Sequence, residues 1–253
     1  MQSIMGAESI LTGSTGFIGK NLFKSLCCDV FNDDIRYFDT EKRYHYVFHF
    51  GSPSSQVLFK RNTSYCIDTT INGFLRVVSY CKRTGAKLIY PSTGHISYNN
   101  EYAKCKSLCE SIAQNSGIES LGIRIFAGYG PGEEHKRDYK SPVGLFLDDI
   151  MHDRQPVIYG DGNQKRDFVY IDDIVENILA MAETRVGIAE IGTGVSHSFN
   201  EVVKIINRVT GKNIKPIYVD KPQNYVEETL CKNPIKNPIS LEEGIEKYYE
   251  NSN

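Results

Sequence analysis

The stretch that decides the fold is ILTGSTGFIG, residues 10–19. A short apolar run leads into three glycines spaced G-x-x-G-x-x-G, and apolar residues continue at helical spacing from Phe17 to Leu26. Glycine permits a sharp turn, and a helix that begins there presents N–H groups and its positive dipole end to a phosphate. The stretch therefore predicts a strand, a turn and a helix that bind the pyrophosphate of a dinucleotide. Because glycine and serine are also common in ordinary strand-to-helix turns, this interpretation depends on the rest of the chain.

The composition is that of an ordinary globular protein: of the 253 residues, 40% are hydrophobic and 24% are charged. The 29 basic and 31 acidic residues leave a net charge of −2 and form no basic run. We therefore expect no nucleic acid and no anionic membrane surface as partner. No apolar run approaches the roughly 18 residues of a membrane span, and the first ten residues do not resemble a signal peptide. These features predict a cytoplasmic protein with a small-molecule partner.

The seven cysteines indicate buried free thiols. Their number is odd, they form no C-x-x-C pair, and they are scattered through segments that have helical or strand patterns. Cys105 and Cys109 are four residues apart on one predicted helix face, which is a spacing that a metal pair could use. No histidine or second cysteine pair completes such a site, so we expect no metal.

Strand and helix patterns alternate in the first half of the chain. Strands are predicted at 10–12, 28–31, 35–38, 44–50, 87–91 and 121–126, and helices at 17–26, 69–83 and 102–116. This alternation is typical of a Rossmann-type doubly wound parallel sheet. Only about twelve residues separate the strand at 28–31 from the strand at 44–50, which is too few for a full helical crossover.

The pattern changes after residue 126. We predict a loop at 128–132, a charged segment at 133–139, and then short strands at 157–162 and 166–171 around a turn. Further strands are expected at 189–192 and 214–219, and helices at 143–152, 172–182 with Asp172 as cap, 199–210 and 241–249. The predicted domains are a dinucleotide-binding domain at 1–126, to which 168–194 return, and a smaller mixed α/β substrate-binding part at 127–167 and 195–253.

The residues that suggest chemistry lie near the carboxyl ends of predicted strands, where open parallel sheets bind their ligands. Ser92 and Thr93 end the strand at 87–91, and the next helix carries Tyr102 and Lys106 on one face. A lysine ammonium at that distance is expected to lower the pKa of the phenol and to make Tyr102 a proton acceptor and donor. One Y-x-x-x-K match is expected by chance, so the position of this pair carries the inference, and the alternative is a solvated helix face.

An acidic residue about 20 residues after the first glycine commonly holds the adenosine ribose. Asp33 and Asp34 stand at that distance. Because Asn-Asp-Asp is also ordinary turn chemistry, both residues could instead belong to a turn.

Together these motifs resemble the extended short-chain dehydrogenases/reductases of the NAD-dependent epimerase/dehydratase family, nearly end to end. The motifs that carry the resemblance are Gly13, Gly16 and Gly19, HFG at 49–51, Ser92 and Thr93, Tyr102 and Lys106, Arg124 with YGP at 129–131, GDG at 160–162, RDFVYIDD at 166–173, and IGTG at 191–194. The resemblance implies that the amino-terminal sheet binds NAD or NADP and that the rest binds a nucleotide-linked sugar. Tyr102 is then the acid/base, Thr93 its hydrogen-bonding partner, and Lys106 the residue that binds the cofactor ribose and tunes the phenol.

The resemblance also implies the ligand contacts. The expected cofactor-binding residues are Gly13, Thr15, Gly16, Phe17, Ile18, Gly19, Asp33 or Asp34, Phe50, Gly51, Ser52, Ser92, Tyr102, Lys106 and Phe126. The expected substrate-binding residues are Ser52, Thr93, His95, Lys136, Arg166 and Tyr225. Arg166 and Tyr225 would face the nucleotide diphosphate, because an arginine matches phosphate geometry with two parallel donors.

The segment GPGEEHK at 130–136 resembles nucleotide-linked heptose 6-epimerases and, more loosely, GDP-mannose 3,5-epimerase. This resemblance makes Lys136 a candidate second acid/base, and the alternative is a lysine in a charged surface loop. The tail YVDKPQNY at 218–225 resembles the heptose-epimerase tail that closes over substrate.

The chain departs from the family pattern in three places. The segment between 31 and 49 is short, Ala127 replaces a usual asparagine, and Thr93 is followed by Gly94 and His95 rather than an Asp-Glu pair. The last departure disfavours a 4,6-dehydratase, which needs both an acid and a base to expel water. We therefore expect an NAD(P)-dependent nucleotide-sugar epimerase that transiently oxidises a sugar hydroxyl. The alternatives are a nucleotide-sugar reductase or dehydrogenase and a binding or regulatory member without turnover, and in each case a homodimer is expected through the helices at 69–83 and 102–116.

Overall fold

The computed structural model describes residues 8–222 and 225–252. Gln223 and Asn224, which belong to the predicted substrate tail, lie outside the described residues. The strands are β1 Ser9–Thr12, β2 Asp29–Phe31, β3 Tyr46–His49, β4 Lys87–Thr93, β5 Ser120–Ile125, β6 Ala127–Tyr129, β7 Val157–Tyr159, β8 Lys165–Tyr170, β9 Gly187–Ile191, β10 Ser196–Ser198 and β11 Ile217–Val219. The α-helices are α1 Phe17–Leu26, α2 Gln56–Arg61, α3 Thr63–Thr84, α4 Glu101–Asn115, α5 Pro142–Met151, α6 Ile171–Thr184, α7 Phe199–Thr210 and α8 Leu241–Glu250.

The described chain divides into two compact units. The first contains the residues up to Ile125 together with Val175–Ala189, and the second contains Phe126–Ile174 and the residues from Glu190 onward. Among the residues that the structure describes, none of the helices has the length and apolar character needed to cross a bilayer. Six of the seven cysteines are buried free thiols, and Cys27, at the carboxyl end of α1, is exposed.

A six-stranded sheet in the order β2-β1-β3-β4-β5-β9 forms the centre of the first unit. The pairs from β2 to β5 are parallel, and the apolar residues of β4 are buried, as expected for a sheet covered on both faces. The predicted Rossmann-type α/β fold is therefore confirmed. Because the chain runs from β1 outward to β2 and then returns to β3, the strand order reverses between β1 and β3. Such a reversal is where open α/β sheets bind ligands.

The segment between β2 and β3 differs from the prediction. Residues 35–38 were expected to form a strand, but Ile35–Tyr37 is a 3₁₀ helix, which begins at Asp34. The side chain of Asp34 accepts a hydrogen bond from the N–H of Arg36, and Ile35 and Phe38 turn into the core. They pack against α3, where a Cβ at Gly73 would lie only 2.5 Å from Ile35 Cγ2. A single short turn thus fills the layer in which a crossover helix would otherwise lie.

Two helices precede β4 where we predicted one. The short helix α2 was not predicted, and α3 begins at Thr63 instead of residue 69 because Asn62 caps it through a bond from Tyr65 N–H. The helix ends at Thr84, close to the predicted residue 83, because Gly85 has a φ of 78° and its N–H donates to the carbonyl of Cys81.

The second unit contains two small sheets, in the orders β10-β8-β6 and β11-β7. The expected loop at 128–132 is partly wrong, because Ala127–Tyr129 pairs in parallel with Phe168–Tyr170. The strands β7 and β8, which were expected around one turn, lie in different sheets. Helix α6 begins at Ile171, so Asp172 lies in its first turn and does not precede it as a cap.

The predicted helices near the carboxyl end agree closely with the structure. Helix α7 has the predicted bounds because Ser198 and Glu201 form a reciprocal capping box at its start. The rings of Tyr129, Phe168 and Tyr170 meet edge to face in the core of this unit, with centroids 5.6–6.3 Å apart.

Candidate active site

The glycine turn between β1 and α1 has the shape that a phosphate site requires. Gly13 has a φ of 75°, and a Cβ there would lie 2.5 Å from the backbone of Phe50. A Cβ at Gly19 would lie 2.0 Å from the carbonyl oxygen of Gly13. These two glycines therefore allow the turn to close against the end of β3 and against α1.

Gly16 has a different reason to be glycine. A Cβ there would have one neighbour within 4 Å among the described residues, the Gly13 carbonyl oxygen at 3.3 Å, so packing does not exclude a side chain. Gly16 is also the N-cap of α1 and provides no side-chain hydrogen bond to the first turn. Six other helix starts are capped by side chains, those of Ser55, Asn62, Asn100, Ser141, Ser198 and Ser240. At the start of α1, therefore, no side chain at Gly16 stands in the way of a ligand, and no capping side chain bonds the first N–H groups of the helix. These are the conditions for binding a pyrophosphate at a helix N-terminus.

The residues after β2 include the two aspartates predicted to bind the ribose, Asp33 and Asp34. Ser14 Oγ donates to Asn32 Oδ1 at 2.7 Å, which links the glycine turn to the residue directly after β2. Asp34 pairs with Arg36, whose charge and hydrogen bonds lower the pKa of Asp34 to about 2, and Arg36 also pairs with Asp68 of α3 at 2.6 Å. Asp34 thus takes part in the turn and Asp33 is exposed, and a ribose contact by either residue remains a prediction.

The end of β3 is fixed beside the end of β1. Thr12 Oγ1 accepts a hydrogen bond from Gly51 N–H at 3.1 Å and lies 2.9 Å from His49 Nδ1. Burial, assisted by the charge of Lys106, lowers the pKa of His49 to about 3, so its imidazole is neutral. The Thr12 hydroxyl can then donate to Nδ1, and the two strand ends form one rigid edge.

The structure brings Thr93, Tyr102, Lys106 and Ser52 together at this edge. The Thr93 side chain lies near enough to the Tyr102 phenol to lower its pKa. Lys106 Nζ donates to Ser52 Oγ at 3.0 Å and lies 5.9 Å from the centre of the Tyr102 ring. Asn100 caps α4 through Ala103 N–H at 2.8 Å, which sets the start of the helix that carries both Tyr102 and Lys106.

The expected lowering of the Tyr102 pKa is wrong in this structure. Burial raises the pKa of Tyr102 to about 12, and the interaction with Thr93, which lowers it, only partly offsets burial. Burial also lowers the pKa of Lys106. The phenol is therefore protonated at neutral pH, and Thr93 is the group that favours its ionised form.

A buried ion pair behind this cluster was missed by sequence reasoning. Glu110, one turn after Lys106 on α4, accepts two hydrogen bonds from Arg124 of β5, at 3.0 and 2.7 Å, and one from the hydroxyl of Ser92. Ser92, predicted to contact the cofactor, therefore directs its hydroxyl to Glu110. The carboxylate ties α4 to β4 and β5, and no sequence spacing marks such a contact in advance.

Other predicted residues of the first unit lie on the turn or near Thr93. Thr15 is exposed between Gly13 and Gly16, and Phe17 and Ile18 begin α1. The N–H of His95 donates to Thr93 Oγ1 at 3.2 Å.

In the second unit, Lys136 pairs with Glu133. Its side chain is 14% exposed, and its Nζ donates to Glu133 Oε1 at 2.9 Å. The 3₁₀ turn around it, Glu134–Tyr139, is largely exposed, so the second acid/base and the surface lysine both remain predictions for Lys136. Phe126, at the start of this unit, donates its N–H to the carbonyl of Ile191 at 3.0 Å.

Arg166 and Tyr225 lie next to each other in the second unit. The guanidinium of Arg166 is 5.5 Å from the centre of the Tyr225 ring and 5.4 Å from that of Phe199. It also donates to the carbonyl oxygens of Lys165, Val226 and Glu227. Arg166 thus holds the segment that contains Tyr225, and a role toward diphosphate remains a prediction.

The model of the NAD dependent epimerase/dehydratase family matches residues 27–192. The chain belongs to this family. The match contains Thr93, Tyr102, Lys106 and Lys136, whereas the glycine turn at 13–19 precedes it.

Relatives in this epimerase/dehydratase family differ in their reactions. The chain is 22% identical to UDP-glucuronic acid decarboxylase 1 of Xenopus tropicalis, over 85% of this chain and 63% of that protein. It is 24% identical to the ADP-L-glycero-D-manno-heptose-6-epimerase of Nitratidesulfovibrio vulgaris, over 87% of this chain and 80% of that protein. The UDP-glucose 4-epimerase of Thermotoga maritima, solved with UDP-glucose, superposes with a TM-score of 0.88 at 22% identity, covering 96% of this chain and 97% of that one. This likeness confirms the fold, and the reaction has to be argued from the site.

Proposed function

We propose that this epimerase/dehydratase family member is an NAD-dependent epimerase of a nucleotide-linked sugar. The observation that carries the proposal is the cluster of Thr93, Tyr102 and Lys106 at the sheet edge that also contains the glycine turn. A relative that is a heptose 6-epimerase and a structural neighbour that is a UDP-glucose 4-epimerase support the reaction class. The fold alone would not, because one fold serves many reactions.

The residues that would hold the dinucleotide are Gly13, Gly16, the first N–H groups of α1, and Lys106. The surroundings of β2 favour NAD over NADP. Asp34 and Asp68 both pair with the guanidinium of Arg36, and Asp33, the residue before Asp34, adds an exposed carboxylate to this segment. A 2′-phosphate would add negative charge to this acidic surface and would be repelled. A nicotinamide bound there would supply a hydride acceptor and donor for the transient oxidation of a sugar hydroxyl.

In the proposed reaction, side chains of this protein would accept and donate the protons. Tyr102 in its ionised form would take the proton of the sugar hydroxyl, and its interaction with Thr93 favours this form. Ser52 accepts from Lys106 Nζ and so fixes the direction of this ammonium. Lys136 would act as the second acid/base, and Arg166 with Tyr225 would bind the nucleotide diphosphate in the second unit.

We further propose a homodimer formed through α3 and α4. The support is apolar side chains that remain exposed on these helices, Ile67 and Leu75 on α3 and Leu108 on α4. Sedimentation of the purified protein at several concentrations tests this proposal, and a monomer throughout would contradict it.

The experiment that tests the proposed function begins with the small molecules released on denaturation and with titrations of NAD and NADP. The loaded protein is then incubated with UDP-glucose, UDP-glucuronic acid and an ADP-heptose, and the products are separated and identified by NMR. An inverted sugar without net change in NADH absorbance supports the proposal. Net NADH formation or consumption would indicate a dehydrogenase or reductase, and failure to bind either dinucleotide at millimolar concentration would indicate a binding protein instead.

A further inference from the structure

Glu133 is a fully buried carboxylate in the second unit, with 0% of its surface exposed. Its Oε1 accepts from Ser141 N–H at 2.9 Å and from Lys136 Nζ at 2.9 Å, and its Oε2 accepts from Ser141 Oγ at 2.6 Å. Ser141 is also the N-cap of α5. The carboxylate thus joins the segment of Lys136 to the start of a helix.

The charge of this carboxylate requires a partner. A buried ionised carboxylate is costly unless hydrogen bonds and an opposite charge compensate it. Ser141 provides two of the three donors, but it is neutral, so the opposite charge comes from Lys136. Because the Lys136 side chain is only 14% exposed, solvent provides little of the stabilisation of either charge.

The backbone around this pair is adapted to it. Arg137, the residue after Lys136, has φ 53° and ψ −112°, a conformation that is strained for a residue with a side chain. Gly144 in the first turn of α5 leaves room for the carboxylate, since a Cβ there would lie 3.0 Å from Glu133 Oε2 and 3.2 Å from the Tyr248 hydroxyl. The structure therefore accepts local strain while keeping Lys136 against Glu133.

We propose that Glu133 is a positioning residue, which holds the Lys136 side chain in one place so that Lys136 serves as a proton donor. This inference rests on the proposed function, because it assigns the proton that enters when the inverted hydroxyl forms. In that step an N–H bond of Lys136 breaks, an O–H bond forms on the sugar oxygen, and a neutral amine remains until solvent protonates it. A bound nicotinamide would supply the hydride for this step.

The test replaces Glu133 by Gln, which keeps the shape of the side chain and removes its charge. Acetic anhydride acetylates lysine side chains at Nζ, so mass spectrometry of acetylated peptides measures how firmly the Lys136 Nζ is held against Glu133. Exposed Lys104 of α4 is the internal reference. We expect Glu133→Gln to raise the labelling rate of Lys136 relative to Lys104 by about tenfold or more, given the strength of hydrogen bonds to charged groups. The neighbouring variant Glu134→Gln is the matched control and should leave this ratio unchanged.

The kinetic arm separates positioning from binding. Loss of a positioned proton donor should lower kcat for epimerisation by about 10²-fold and leave KM within about threefold. Lys136→Arg keeps the charge pair but cannot release a proton, so it should lose as much in kcat without disturbing the fold. A loss confined to KM, or a Lys136→Arg protein with near-normal kcat, would overturn the donor role.

The outcomes also distinguish this inference from the proposed function. If folded Glu133→Gln leaves the Lys136 labelling ratio unchanged, the positioning role is wrong, whatever the activity. If labelling responds but no nucleotide sugar is converted, the positioning role stands and the proposed function fails. Should Glu133→Gln not fold, Glu133→Asp provides the test: its shorter carboxylate no longer reaches Lys136 Nζ, so Lys136 should label faster relative to Lys104 than in the parent protein. An unchanged ratio would refute the pairing.

Discussion

Replacing Glu110 by Gln should destabilise the protein more than any exposed charge substitution. The Glu110 side chain is 7% exposed, and the variant removes the carboxylate to which Arg124 donates two hydrogen bonds, at 2.7 and 3.0 Å. Removing one partner of a buried pair typically costs about 3–5 kcal/mol. Because the Arg124 side chain is 29% exposed, solvent recovers part of this cost, and we expect a loss of about 2–3 kcal/mol in the free energy of unfolding.

Urea unfolding followed by circular dichroism measures this loss, provided that the m-value stays constant. The matched control is Asp39→Asn, which breaks the pair of Asp39 with Arg83, whose side chains are 78% and 57% exposed. This control should lose less than about 1 kcal/mol. The double variant Glu110→Gln with Arg124→Gln should be more stable than Glu110→Gln alone, because no arginine charge is then left without its carboxylate. A Glu110→Gln protein as stable as the Asp39→Asn control would refute the reasoning.

Three further predictions concern the site. Tyr102→Phe should lower turnover by about 10²–10⁴-fold while dinucleotide binding persists, and a rate within about tenfold of the parent would contradict an acid/base role. Burial raises the pKa of Tyr102 from 10.0 to about 12, so the protonated phenol stabilises the folded protein fully below about pH 10 and this stabilisation is lost as the pH rises toward 12. Between pH 10 and 12 the free energy of unfolding, measured by urea titration, should fall by about 1–2 kcal/mol more in the parent than in Tyr102→Phe. Parallel pH dependences of the two proteins would argue against a buried phenol. Gly16→Ala should fold normally but bind NAD at least about tenfold more weakly. Gly19→Ala should be strongly destabilised, because its Cβ would lie 2.0 Å from the Gly13 carbonyl oxygen. Titration calorimetry with NAD and the thermal unfolding midpoint of both variants check this prediction.

The elements that could be predicted from the sequence are those whose signals are local. Helix α7 combines a strong apolar periodicity with a capping serine and a following glycine, and its bounds agree at both ends. The glycine turn likewise follows from residues that are neighbours in the chain. The segment at 35–38 was misassigned because a spacing of three between Ile35 and Phe38 suits a 3₁₀ turn, while its apolar content suggested a strand.

Contacts between distant residues have no such signal. Ser92, Glu110 and Arg124 meet although 18 and 14 residues separate them from the central carboxylate. The direction of the Tyr102 pKa also could not be predicted, because spacing on a helix indicates the nearby lysine but not how deeply the phenol is buried. Glu133 is three residues before Lys136 in the sequence, but this spacing alone does not identify it as the partner of that lysine; its burial in the structure does.

The double use of Ser141 has a dynamic consequence. Its hydroxyl donates to Glu133 and accepts from Gly144 N–H, so the segment of Lys136 and the first turn of α5 share one hydrogen-bonded junction. Neither can open without exposing a carboxylate and a helix start together, which makes them one cooperative unit in hydrogen exchange. The amide protons of both segments should therefore exchange with solvent at a common rate. A ligand that binds to the Lys136 side chain should then change the exchange rate of the first turn of α5 without touching that helix.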